Sequence, residues 1–235
     1  MAWAAVPTAD ILRHWWGDAV DLSHFAQPGQ DLSRYKLVVV PNLYLVNDAH
    51  AENLRQYVHD GGTLLMSPFS GIVNETDHVY LGGYPGPFRE MLGIRIEEFA
   101  PMQPNEHNEV VTRDEETFAC QTWTDVMRLD GAQPLAMFTQ GSVAEQAAIT
   151  RNSFGKGTAF YTGTVLDETG MAWLMNTVVS HAQVQPVLDT PVGIEAVRRG
   201  KWLFLINTTE AAASVTVPGH GIIALKPFDC VLIDN

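Results

Sequence analysis

The sequence predicts an α/β fold: an open, largely parallel sheet followed by a small antiparallel β-sandwich. Three observations predict it. A strand, a crossover helix and a second strand are outlined between Tyr35 and Ser67, an amphipathic helix runs up to Val179, and the periodicity changes to two after Pro191. Leu37 to Val40 form a continuous apolar run with three valines, as expected of a strand buried on both faces of a parallel sheet. Pro41 ends it, because proline cannot donate to the ladder. Asp48 is the expected cap of the helix that follows; Ala51, Leu54, Tyr57 and Val58 share one face at helical spacing, and Gly61-Gly62 provides the exit. Thr63 to Met66 make the next strand.

The loop after that strand, Ser67-Pro68-Phe69-Ser70-Gly71, falls at the carboxyl edge of the sheet, where open α/β folds place ligands. A nucleophile elbow needs Ser or Cys between small residues on a sharp turn, with a histidine to take its proton. Pro68 and Phe69 occupy the turn instead, so Ser67 and Ser70 read as turn or capping residues.

The middle of the chain is less regular. Val110 to Arg113, Val126 to Leu129, Leu135 to Phe138, Ala147 to Thr150 and Thr158 to Tyr161 are short strand-like pieces. Between the last two, Asn152-Ser-Phe-Gly-Lys-Gly resembles a phosphate loop only superficially. The order Gly155-Lys156-Gly157 lacks the G-x-x-x-x-G-K-[ST] spacing that lets amides and lysine converge on phosphates, so it reads as a hairpin turn. Asp167 or Thr169 caps a helix whose apolar stripe is Met171, Leu174, Met175, Val178 and Val179. Beyond Pro186 to Pro191, five short strands separated by Gly, Asn and Pro turns form the sandwich, which is marginal alone and is expected to pack on its neighbour. The expected domains are 1–187 and 188–235.

Composition narrows the function classes. With 235 residues, 46% hydrophobic and 17% charged, the chain has enough apolar material for a proper core. No run of eighteen apolar residues suggests a membrane span, and the first thirty residues lack the basic start and apolar core of a secretory signal, so the chain is expected to be cytoplasmic. Twenty-seven acidic against fourteen basic residues give a net charge of −13, which disfavours nucleic acid; Arg198-Arg199-Gly200-Lys201 reads as a hairpin turn. Cys120 and Cys230 are read as two free, buried thiols.

Other polar groups do not assemble a site. His59-Asp60 and Asp77-His78 lie about eighteen residues apart on unrelated elements. Asp167-Glu168 are adjacent acids favoured by a helix start, and His107 stands in a polar stretch read as a solvated loop. No catalytic residue, metal or cofactor is expected.

Three segments carry a resemblance: Asp31 to Val46 with Asp60 to Leu64, Gly82-Gly-Tyr-Pro-Gly-Pro-Phe-Arg-Glu-Met-Leu-Gly-Ile94, and Arg151-Asn-Ser-Phe-Gly-Lys-Gly-Thr-Ala-Phe-Tyr-Thr-Gly-Thr164. Together with the tail from Pro191, they resemble the middle and carboxyl-terminal domains of bacterial β-galactosidases of glycoside hydrolase family 42. The resemblance implies a class I glutamine amidotransferase-like (flavodoxin-like) domain that assembles a homotrimer, then a small β-domain. The family's (β/α)₈ barrel, which carries both catalytic glutamates and any metal-binding cysteines, needs about 250 residues by itself and has no counterpart here. The first dozen residues are at most a helix leading out of it. The implied role is therefore non-catalytic support, with a trimer and the parent enzyme's barrel as partners; a stand-alone hydrolase or a sugar-binding module is the alternative.

The segment Val79 to Arg89 sets Tyr80, Tyr84, Pro85, Phe88 and Arg89 among glycines and prolines. Rigid aromatic groups in such loops are typical interface anchors, and the resemblance makes them the candidate contact with another copy or with the barrel. Their other role is to close the domain's own core. A sugar platform on the β-domain would need Trp202, which alternates with Phe204 and Ile206 and is expected to face the core.

Overall fold

A computed structural model describes residues 30–234. The expected helix over the first dozen residues lies outside them. The described residues form two compact units, 30–183 and 184–234.

The first unit starts as expected. Strand β1 (Leu37–Val40) leads into helix α1 (Asp48–His59), then strand β2 (Thr63–Met66), and the two strands pair in parallel with Leu37 opposite Thr63. Asn47, not Asp48, is the cap: its side chain accepts from the His50 amide at 2.9 Å, and Asp48 stands in the first turn, where the helix dipole favours an acid. Ala51, Leu54, Tyr57 and Val58 are the buried face. Every residue of β2 is buried, consistent with cover on both faces.

The largely parallel sheet is the main correction. A short helix α2 (Arg89–Leu92) precedes strands β3 (Ile94–Pro101), β4 (His107–Thr112), β5 (Thr117–Leu129), β6 (Gln133–Phe138), β7 (Ala147–Phe154), β8 (Gly157–Thr162) and β9 (Thr164–Leu166). The nine strands run β1-β2-β8-β7-β6-β4-β5-β3, with β9 added to β5. Only β1, β2 and β8 are parallel neighbours; the other pairings are antiparallel. The reason lies in the connections. A parallel pair needs a crossover of a dozen or more residues, whereas β3 to β8 follow one another through short turns. The hairpin read at Gly155-Lys156 joins β7 to β8, with Phe154 opposite Gly157. Gly155 supplies a positive φ of 60°, as two-residue hairpin turns require. At Gly157 a β-carbon would sit 2.1 Å from the Val58 carbonyl oxygen and 2.3 Å from that of Gly62, so only glycine lets the hairpin lie on the end of α1.

Helix α3 (Glu168–His181) is capped by Asp167, which accepts from the Gly170 amide at 2.7 Å, and buries the predicted stripe. The second unit holds a three-stranded sheet, β10 (Ile194–Arg199), β11 (Trp202–Asn207) and β14 (Cys230–Asp234), and a pair, β12 (Ala213–Val217) with β13 (Gly221–Leu225), all antiparallel. Its core is Ile194, Ala196, Leu203, Leu205, Val215, Val217, Leu225 and Ile233. Trp202 therefore faces the other way from the expectation: it is exposed, because the phase of β11 buries Leu203 and Leu205. Lys201 Nζ lies 4.5 Å from the centre of its ring.

Candidate functional site

The turn after β2 is sharp but carries no nucleophile. Ser70 is fully buried, donates to the Ser67 carbonyl at 2.9 Å and accepts from the Leu43 amide at 3.1 Å. The residue held in the left-handed region is Phe69, at φ 62°. Its ring packs on Trp123 at 4.1 Å between centroids, and Trp123 stacks in turn on Phe99 at 4.8 Å.

Remaining candidates stay dispersed. His59 and Asp60 end α1, while Asp77 and His78 belong to a turn in which Asn74 Oδ1 accepts from the amides of Thr76 and His78. His107 opens strand β4, a correction to the loop reading, because Asn108 to Val111 pair with β5 and draw it in. Cys120 is buried but Cys230 is exposed at the start of β14, correcting the second buried thiol. Among the described residues, no three His, Cys, Asp or Glu side chains are grouped to hold a metal ion, and no helix is long and apolar enough to cross a membrane.

The aromatic segment is divided between inside and outside. Tyr84, Pro85 and Phe88 are buried in the unit's own core, with Phe88 at 0% exposure, so they correct the expectation of exposed anchors. Tyr80 is half-buried and donates to the Val46 carbonyl at 2.8 Å. Arg89 is spent locally, donating to the carbonyls of Gly86 at 3.1 Å and Gly82 at 2.6 Å. What the segment presents outward is Val79, 64% exposed, and Leu81, 88% exposed. Leu45 pairs with Val73, and Val73 with Val79, so the loops after β1 and β2 build a small lobe in which Tyr44 and Leu45 are exposed as well. The alternation Val79 out, Tyr80 in, Leu81 out is the signal that could have found this face.

Beneath the aromatic stack lies a buried acid. Trp123, Asp125 and Met127 point inward from β5, and Asp125 has no exposed surface. Three groups donate to its carboxylate: the Tyr84 hydroxyl from the loop, the Tyr161 hydroxyl from β8 at 2.7 Å, and Trp123 Nε1 at 2.9 Å. Burial pushes the acid up to about 6, against the three donors, which favour its charged form. Burial, and then the negative charge beside them, pushes both tyrosine hydroxyls up as well. The sequence reading passed over Asp125 because it stands just before the strand piece begun at Val126.

These features define an α/β domain built on a large mixed sheet, in which the turn after β2 holds Phe69 in the left-handed region and the buried acid is committed to three neighbouring donors. The chain belongs to the β-galactosidase trimerisation domain family, which it matches over residues 9–185. It is 42% identical over 198 residues to the β-galactosidase BgaB of Geobacillus sp. (strain Y412MC61), covering 83% of this chain and 29% of that protein. With a β-galactosidase of Arthrobacter sp. it shares 37% identity over 217 residues, covering 90% of this chain and 30% of that one. The crystal structure of the β-galactosidase from Bacillus circulans sp. alkalophilus superposes with a TM-score of 0.88 at 29% identity, over 96% of this chain and 36% of that one. A catalytic mutant of Gan42B, a GH42 β-galactosidase from G. stearothermophilus, gives a TM-score of 0.83 at 25% identity, over 99% and 36%. The chain thus spans about a third of its relatives' length, and the described residues contain no (β/α)₈ barrel.

Proposed function

We propose that this chain is the non-catalytic assembly part of a β-galactosidase that joins three copies, the intact enzyme cleaving terminal β-galactosides with a carboxylate pair carried elsewhere. The family match carries the reading. A threefold arrangement needs a heterologous contact, so each copy offers two different surfaces. The lobe of Tyr44, Leu45, Val79 and Leu81 supplies one of them: it gathers large apolar side chains at 44 to 88% exposure on a framework fixed by backbone bonds. Tyr80 and Arg89 support it from behind. The three parallel strands with α1 are read as the amidotransferase-like part of the fold, and the setting as cytoplasmic, in keeping with two cysteines that form no disulfide.

The test is mass by light scattering over a concentration series, with Leu81→Asp beside the unaltered chain. A trimer that the substitution dissociates supports the reading; a single-chain mass throughout the micromolar range refutes it. A chromogenic β-galactoside should give background turnover only. Turnover lost on mutating one of this chain's own carboxylates would sink the non-catalytic assignment.

A further inference from the structure

Asp125 is an uncommon object in a protein core. It is fully buried and receives hydrogen bonds from three donors, yet none of the ion pairs among the described residues reaches it. The titratable groups facing it are Tyr84 from the loop after β2 and Tyr161 from β8; Trp123 on its own strand is the third donor. Its backbone amide is taken by the Gly163 carbonyl at 2.8 Å. Trp123, one of its donors, packs in turn on the Phe69 and Phe99 rings. Of the three donors, Tyr161 and Trp123 sit on sheet strands and are fixed by pairing. Tyr84 belongs to the loop between β2 and α2, which is held to the sheet by a bridge to Ile96, by the Phe69 ring on Trp123 and Phe99, and by the Tyr84 hydroxyl on Asp125; of the three donors it alone stands outside the strands.

We propose that the Tyr84–Asp125 contact is a proton-sensitive latch on this loop, closed when Asp125 is neutral and loosened when it is ionised. A charge without a counterion in an apolar core is stabilised by any opening that admits water, and Tyr84 is the one donor that does not sit on a sheet strand. A protonated carboxyl has no such need. Its own hydrogen can be donated to a tyrosine oxygen, which accepts as well as donates. Because the same loop carries Val79 and Leu81, ionisation also loosens the face assigned above to assembly. That last consequence rests on the proposed function, whereas the latch itself does not.

Hydrogen exchange of the full chain tests it, read at the amides of Ile72, Val73, Tyr80 and Gly86, all of which are bonded within this loop system. With Asp125 at about 6 in the closed loop and near 3.8 when hydrated, protection corrected for intrinsic rates should fall about tenfold between roughly pH 5 and pH 8. In Asp125→Asn the fall should vanish. Tyr161→Phe, which removes a donor to the carboxylate and keeps the ring, should enlarge it, and decides the matter if the asparagine variant does not fold. Protection equal at both pH values in the unaltered chain, or a fall that survives Asp125→Asn, or one that Tyr161→Phe leaves unchanged, overturns the latch. Mass measured at the same two pH values separates the readings: a single-chain mass with pH-dependent protection retains the latch and removes only the assembly assignment.

Discussion

Phe88 and Leu81 sit seven residues apart in one segment, and the structure assigns them opposite effects. Phe88 has 0% exposure and Leu81 has 88%. Truncating a buried phenylalanine to alanine removes its transfer free energy and leaves a cavity, together about 3–5 kcal/mol. In a chain of this size each kcal/mol moves the melting temperature by about 2–4 °C, so Phe88→Ala should melt roughly 6–20 °C lower. Leu81→Asp alters an exposed side chain and should change the stability of the isolated chain by no more than about 0.5 kcal/mol. The assay is thermal unfolding followed by circular dichroism, paired with sedimentation at the same protein concentration, because association itself raises the melting temperature. The expected pattern is a large thermal loss for Phe88→Ala, and a loss of mass for Leu81→Asp without a matching loss in the dissociated chain. A Phe88→Ala protein that melts within about 2 °C of the unaltered one would refute the burial argument. So would a dissociated Leu81→Asp chain that loses several kcal/mol.

Stability should depend on pH through Asp125 in a particular direction. Its folded-state value is raised from 3.8 to about 6, so its contribution is fully present below about pH 4 and is lost as the pH climbs through 6, a change of roughly 3 kcal/mol. Urea unfolding of the unaltered chain minus Asp125→Asn isolates this from Asp31 and Asp60, whose lowered values act oppositely, and a flat difference from pH 4 to 7 would contradict it. Gly157→Ala should cost about 1–3 kcal/mol or more, since its β-carbon would meet two backbone oxygens that cannot rotate away; unchanged urea stability would show that the hairpin can shift. Asn207 is buried, donates to the carbonyls of Ala211 and Lys226, and accepts from Thr209, so Asn207→Ala should destabilise the second unit by about 1–3 kcal/mol, read from exchange of the β11 amides.

What could be read from sequence was local. The β1, α1, β2 series and the α3 stripe were legible because helical and strand periods are carried by neighbouring residues, and the Gly155-Lys156 turn because its backbone needs glycine. The direction of the sheet was not, since pairing is a contact between distant segments. Strand β3 alternates only over Ile94-Arg-Ile96 before it becomes exposed at Glu97, and the first half of β5 is largely exposed, leaving little apolar alternation to mark them. The phase of β11 was ambiguous because Trp202, Phe204 and Ile206 are as apolar as Leu203 and Leu205. Asp125 read as an ordinary charged residue because two of its three partners lie 41 and 36 residues away. The segment from Val79 to Arg89 was singled out for its aromatic rings, whereas its outward residues are aliphatic.

The order of strands also dictates a schedule for the growing chain. Strand β2 pairs with β8 in parallel, Thr63 opposite Thr158, so its second edge stays open until about 95 further residues have been made. At a synthesis rate of about 5–20 residues per second, Leu64, Leu65 and Met66 wait roughly 5–20 s for their partner. In that interval, β3 to β7 can close through their own short turns, as antiparallel strands with local contacts do fastest. The β1, α1 and β2 unit is therefore made before β3 to β7 yet gains its second sheet partner only after them. Until β8 arrives, the apolar edge of β2 is open to pairing with another chain.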